Sequence, residues 1–316
     1  MLAAERTRNL TVMEALKRAE RYLAKHGVEG ARLSAEHLLA KRMGCSRLDL
    51  YLRFDRAVGE SILEPLRDDL VKRASHYPLQ YLLGEVEFLG ARFRVREGVF
   101  IPRPETELLV EWIEELLGGA PAIEFFEFGV GSGVIAGSLA ARHAAWRGMA
   151  VDCSPEAVSL ARENFEALGV ADRVEVSSAG GADAVGGPAA ERGAEADREA
   201  AAEREAAYDL LVANPPYIPT DVIPTLQEEV SRYEVKAAID GGPDGLRFYP
   251  LLGETGMRLV RPGGLVAFEI GQGQSGALRT ILERLGYEDI SMRRDYNRLE
   301  RMVTALVPRR KGHHDG

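Results

Sequence analysis

From residue 123 onward the chain repeats one unit: a short apolar run, a tight turn, then a stretch with helical spacing. Residues 123–128, 149–151, 174–177, 209–213 and 264–270 read as strands, and 134–143, 155–168, 246–259 and 274–285 as helices. Strands that alternate with helices in this way build a doubly wound sheet, largely parallel, with helices on both faces. Residues 287–306 read as a closing antiparallel pair. The expected fold class is α/β and Rossmann-like.

The first 76 residues follow a different rhythm. Val12, Ala15, Leu16, Ala19, Leu23 and Ala24 recur at three- and four-residue intervals, with Thr11 and Glu14 as a capping box and Gly27 as a stop. A second helix carries Ala35, Leu38, Leu39 and Met43 and closes at Gly44, and two more patterns cover about 46–53 and 59–75. Short helices of this kind need one another, so a small bundle is expected. Residues 85–89 and 92–96 alternate in polarity around Gly90-Ala91 and read as a β-hairpin, followed by a connection stiffened by Pro102 and Pro104. The expected division is a helical unit at 1–80, a hairpin linker at 81–102 and the α/β domain at 103–310. Residues 186–207 contain no Leu, Ile, Val or aromatic residue and read as a solvated low-complexity insert, and 311–316 as a disordered tail.

Composition excludes several classes. No apolar run approaches the ~20 residues of a membrane span, and the charged N-terminus lacks a signal core. Cys45 and Cys153 are far apart and the six His are scattered, so neither a disulfide framework nor a metal site is expected. Lys and Arg total 40 against 49 Asp and Glu, a net charge of −9, which weighs against direct reading of naked nucleic acid. These features fit a cytoplasmic monomer with no membrane partner and no direct nucleic-acid partner.

Two segments carry chemistry. The first strand ends in Glu127-Phe128-Gly129-Val130-Gly131-Ser132-Gly133 and runs straight into a helix, so the backbone can approach a ligand closely. A dinucleotide fingerprint needs Gly or Ala where Val134 stands. The next strand ends at Asp152, a carboxylate placed to accept both ribose hydroxyls. No Lys or Arg sits in the turn, which suits a nucleoside without phosphates, such as S-adenosylmethionine. The expected cofactor contacts are Glu127, Gly129, Val130, Gly131, Ser132, Gly133, Asp152 and Asn214.

The second segment is Asn214-Pro215-Pro216-Tyr217, at the end of the strand over 209–213. Two prolines remove two donors and fix two φ angles, leaving a rigid turn with exposed carbonyls. With the Asn214 side-chain oxygen, they can accept both hydrogens of a planar –NH2 group, while Tyr217 packs on its face. Asn214, Pro215 and Tyr217 are the expected catalytic residues, and Pro216 joins them in holding the substrate.

This tetrapeptide resembles that of class I methyltransferases acting on planar amino groups. Three further segments, residues 78–84, 101–107 and 240–246, together with Ser46-Arg47-Leu48-Asp49-Leu50-Tyr51, resemble the release-factor glutamine methyltransferases. The likeness covers about residues 10 to 306 outside the insert. It implies a class I methyltransferase sheet preceded by a helical bundle that helps bind the partner. It also implies S-adenosylmethionine as cofactor, and as substrate the glutamine of the Gly-Gly-Gln tip of peptide chain release factors. The family's usual Asp-Leu-Gly is here Glu127-Phe128-Gly129, with a longer carboxylate. The acid it places near the adenine falls at Gly180 without gaps, or at Asp183 if the loop shifts. Three rival readings stay open: glutamine methylation of a ribosomal protein, adenine amino-group methylation, which would need base flipping and a basic groove, and a degenerate methyltransferase acting as an adaptor.

Overall fold

The computed structural model describes residues 10–178 and 206–309. Gly180, Asp183, the tail at 311–316 and all but the last two residues of the 186–207 insert lie outside the described residues. The chain divides into two compact units, one ending at Glu85 but including Gln227–Tyr233, the other holding the rest.

The first unit is helical: α1 (Val12–Lys25), α2 (Ala31–Met43), α3 (Arg47–Leu52), α4 (Glu60–Ala74) and α5 (Leu79–Leu83). The capping box at Thr11 and Glu14 forms as the sequence suggests, and Ser46 with Asp49 builds a second one on α3. The periodic apolar positions meet in one core, including Val12, Leu16, Leu23, Leu38, Leu39, Leu50, Leu66 and Leu70. The late segment Gln227–Tyr233 is held to this unit by polar bonds. Arg73, almost fully buried, reaches Glu229 at 2.6 Å, and the Tyr233 hydroxyl donates to the Ser75 carbonyl at 2.7 Å.

A hairpin follows, β1 (Glu85–Phe88) and β2 (Ala91–Arg94), turned by Leu89 and Gly90, both at positive φ. The proline segment is not only a connector. Pro104 is the first residue of α6 (Pro104–Leu117), where its missing N–H would have no helical partner anyway. This helix was not foreseen from the sequence.

The sheet contains β3 (Glu124–Phe128), β4 (Arg147–Asp152), β5 (Val174–Ser178), β6 (Tyr208–Ala213), β7 (Val260–Glu269), β8 (Glu288–Arg294) and β9 (Glu300–Leu306). Their order is β5-β4-β3-β6-β7-β9-β8, parallel except where β9 joins β7 and β8. Side chains alternate between faces. Phe125, Ala150, Leu210, Val212, Leu265 and Ala267 meet α6, α7 (Val134–Arg142) and α8 (Pro155–Leu168). Phe126, Phe128, Val151, Leu211, Val266 and Phe268 meet α10 (Tyr249–Leu259) and α11 (Ser275–Leu285), which follow the short α9 (Glu228–Tyr233). Both faces are covered, which explains why the strands are apolar throughout. The chain builds outward from β3 through β4 to β5, then returns to β6 on the other side. The switch point, where ligands of such sheets bind, therefore lies between the carboxyl ends of β3 and β6.

Candidate active site

Strand register decides which residues meet at the switch point. Phe128 is level with Val151 and with Ala213, and Ala213 with Phe268. The next residue on each strand therefore falls in one row: Asp152, Gly129, Asn214, Glu269. With strands about 4.8 Å apart, Asp152 and Asn214 are separated by about 10 Å, with the glycine turn between them.

The turn itself is drawn tight. Gly129 and Val130 both donate to the Val151 carbonyl, and Gly129, Gly131 and Gly133 have φ of +77°, +54° and +81°. A side chain on Gly129 or Gly131 would meet nothing within 4 Å, so both face open space above the turn. Gly133 differs, since a Cβ there would lie 2.7 Å from the Phe165 ring. Gly133 lets α7 and α8 close on each other, and so serves packing. Asn164 on α8 holds the turn from below by donating to the Ser132 carbonyl at 2.8 Å.

Asp152 ties the turn to β4. One carboxylate oxygen accepts from the Gly131 N–H and the other from the Ser154 N–H, each at 2.9 Å. The cap of α8 is Ser154, whose hydroxyl accepts from Ala157. Asp152 is thus free of capping duty and only partly buried, with lone pairs left for a ligand. Glu127 sits differently. It is 1% exposed and accepts from the Ala136 N–H at 2.9 Å, and burial pushes its carboxyl well above the usual range.

Across the switch point, the Asn214–Tyr217 turn is clamped by its surroundings. The Gln274 side chain donates to the Tyr217 carbonyl at 2.9 Å, and Ile218 exchanges bonds with Ile239 and Gly241. A Cβ on Gly241 would come 2.8 Å from the Pro216 oxygen, and one on Gly245 2.3 Å from the Tyr217 oxygen. The glycines of the 240–246 segment are therefore needed so that one backbone can lie against another. The Pro215 carbonyl accepts no bond from the described residues.

Two residues that sequence reasoning passed over complete the site. Thr106 at the start of α6 donates to Glu269 at 2.7 Å and accepts from the Asn214 amide nitrogen at 3.2 Å. The Tyr217 hydroxyl donates to the other Glu269 oxygen at 3.1 Å. Tyr217 was expected to lie on a substrate plane; its hydroxyl is anchored on this carboxylate. Both groups are pushed up chiefly by burial: Glu269 to about 7, and the Tyr217 phenol far enough to remain a donor. The only sequence signal for the pair was a lone acid ending an apolar strand and a Thr inside the 101–107 segment. No group of three or more His, Cys, Asp or Glu among the described residues is placed to hold a metal.

Residues 14–84 match the family described as PrmC N-terminal domain, and residues 103–238 match ribosomal protein L11 methyltransferase (PrmA). The release factor glutamine methyltransferase of Geobacter sulfurreducens is 37% identical over 298 residues, covering 94% of this chain and 97% of that one. Proteins of the same name from Chlorobaculum tepidum and Moorella thermoacetica are also 37% identical, covering 94% of this chain. Among solved structures, the hMettl16 catalytic domain in complex with MAT2A 3′UTR hairpin 6 superposes with a TM-score of 0.51 at 14% identity, covering 78% of this chain and 81% of that one. At that identity the likeness is one of fold.

Proposed function

Because this chain belongs to the release factor glutamine methyltransferases, we propose that it moves the methyl group of S-adenosylmethionine onto the side-chain amide nitrogen of the glutamine in the Gly-Gly-Gln tip of peptide chain release factors. The observation that carries this is the row at the switch point, where an open glycine turn with a ribose-ready carboxylate faces a rigid turn that offers acceptors only. The residues fit the cofactor. Gly129 and Gly131 leave room above the turn, Asp152 has lone pairs beyond its two backbone bonds, and residues 127–133 contain no Lys or Arg for a phosphate. Val130, Ser132 and Gly133 shape that turn, and Glu127 braces it from beneath the first turn of α7.

When bound, S-adenosylmethionine supplies an electrophilic methyl group. This chain's task is to present a poor nucleophile, because an amide lone pair is delocalised into its carbonyl. The Asn214 side-chain oxygen and the Pro215 carbonyl accept the two amide hydrogens and fix the nitrogen's approach. Pro216 and Tyr217 hold the turn in shape. Positioning of this kind lowers a barrier by up to ~7–11 kcal/mol. Transfer would form the nitrogen–methyl bond as the sulfur–methyl bond breaks, leaving the neutral thioether S-adenosylhomocysteine, and the nitrogen would lose one of its two hydrogens to water as a proton, held until then by Asn214 and Pro215.

The helical unit supports partner recognition. Leu48 and Leu52, one turn apart on α3, are 69% and 73% exposed, and Phe54 beyond them is 54% exposed. Apolar side chains grouped in this way suit a protein partner. One copy carries the whole row, so the reading needs no second subunit, and a translation factor as substrate supports a cytoplasmic enzyme. Among the described residues no helix is long and apolar enough to cross a membrane. The test is transfer of labelled methyl to purified release factor, to the same factor with its tip glutamine replaced, to ribosomes and to bulk RNA. Label on the intact release factor alone is expected. Equal label on the substituted factor, or preferential label on ribosomes or RNA, refutes the assignment.

A further inference from the structure

We propose that Glu269 and Thr106 act as a positioning relay that sets which end of the Asn214 amide faces the substrate. This deepens the reading above and rests on Asn214 being the acceptor of the substrate's hydrogens.

Glu269 as a carboxylate can only accept, and it takes one hydrogen from Tyr217 and one from Thr106. A threonine hydroxyl has a single hydrogen. With that hydrogen committed to Glu269, Thr106 shows Asn214 nothing but lone pairs. Only the NH2 end of the Asn214 amide can meet them, as the 3.2 Å bond from its nitrogen records. The Asn214 oxygen is thereby turned away from Thr106 and left as an acceptor. An unrestrained asparagine could instead present its NH2 group, and two NH2 groups cannot bind each other's hydrogens. The site lies off the reacting atoms, so neither Glu269 nor Thr106 touches the substrate in this scheme.

The relay holds only while Glu269 is ionised. A protonated Glu269 would itself donate through one oxygen. Thr106 would then be free to turn its hydrogen toward Asn214, and the amide would lose its preferred orientation. The groups facing Glu269 act in both directions. Burial and Glu105 on α6 favour the proton, while Thr106, Tyr217 and Arg301 on β9 favour the charge, Arg301 being paired with Asp295. Tyr249 on α10 donates to the Glu269 backbone carbonyl at 3.0 Å, and Arg103 ahead of α6 acts on Tyr217. The balance puts the carboxyl near 7, so turnover should rise with pH through that value and level off above it.

The test compares Thr106→Val, Thr106→Ser and Glu269→Gln in the full-length enzyme, with release factor and S-adenosylmethionine as substrates. Thr106→Val keeps the shape and removes the hydroxyl. It is expected to lower kcat about 100-fold, to leave cofactor affinity within about threefold, and to flatten the pH step. Thr106→Ser restores the hydroxyl and is expected to return both kcat and the step. Glu269→Gln, checked for folding by its melting curve, is expected to lose the step as well. Wild-type turnover and pH profile in Thr106→Val overturn the relay, as does a Thr106→Ser enzyme as slow as Thr106→Val. Asn214→Ala run alongside separates the two failures: if it is inactive while Thr106→Val is normal, only the relay falls; if it is active, the underlying role of Asn214 falls.

Discussion

Two glycines of one turn should respond oppositely to the same substitution. In Gly133→Ala the new Cβ would lie 2.7 and 3.1 Å from two atoms of the Phe165 ring and 3.3 Å from the Ala161 Cβ. Phe165 is itself buried, 1% exposed, and has little room to move aside. Over-packing of this type costs roughly 1–3 kcal/mol. The left-handed φ adds roughly 1–2 kcal/mol. Gly131→Ala bears only the left-handed term, because its Cβ would meet nothing within 4 Å. The difference, roughly 1–3 kcal/mol, corresponds at about 2–4 °C per kcal/mol to a melting temperature about 2–12 °C lower for Gly133→Ala than for Gly131→Ala. Cofactor binding should reverse the order. Gly131→Ala places a methyl group in the space a ligand would use and should weaken binding about tenfold or more, whereas Gly133→Ala should bind within about threefold of wild type. Melting curves and calorimetric titration with S-adenosylmethionine measure both. Equal melting temperatures, with binding lost in Gly133→Ala and kept in Gly131→Ala, would refute the division of labour.

Three other perturbations follow from the same geometry. Asp152→Ala removes a charged acceptor worth roughly 1.5–3 kcal/mol, so calorimetry should show cofactor affinity about 10–150-fold weaker; unchanged affinity would leave Asp152 as a brace of the turn alone. Arg73→Ala removes the cation paired with the partly buried Glu229 and should destabilise the helical unit by about 2–4 kcal/mol, read as faster hydrogen exchange in α2 and α4. Glu127→Gln concerns a carboxyl whose proton is held more tightly in the folded state than in the unfolded chain. The wild-type fold therefore loses stability as pH rises above the ordinary carboxylate range, and the variant should be near neutral at about pH 5 and relatively stabilised at about pH 8 by melting temperature.

Much of this was legible in the sequence because it is local. The apolar runs mark β3, β6 and β7, proline and glycine mark the turns, and Asn214-Pro215-Pro216-Tyr217 announces a rigid turn rich in acceptors. Register then places Asp152, Gly129 and Asn214 in one row, which follows once the strands are known to be parallel neighbours. Four features were not legible. The start of α6 hid behind Pro102 and Pro104, since the same residue that stiffens a connector also opens a helix. The ascent of Gln227–Tyr233 into the helical unit depends on contacts with Arg73 and Ser75, more than 150 positions away. The Thr106–Glu269 bond joins residues 163 positions apart, and nothing in either neighbourhood announces the other. Gly133 was grouped with the ligand-facing glycines because a motif records that glycine is needed, and only the packing of Phe165 reveals why.

On the proposal above, Asn214, as the acceptor-bearing side chain of a rigid proline turn, presents the substrate amide for methylation. Single-turnover methyl transfer to release factor by Asn214→Ala, with cofactor affinity measured on the same sample, tests it most directly. The expected result is a rate lowered by about 1,000-fold or more with S-adenosylmethionine bound within about tenfold of wild type. A rate close to wild type at full cofactor occupancy would contradict the account.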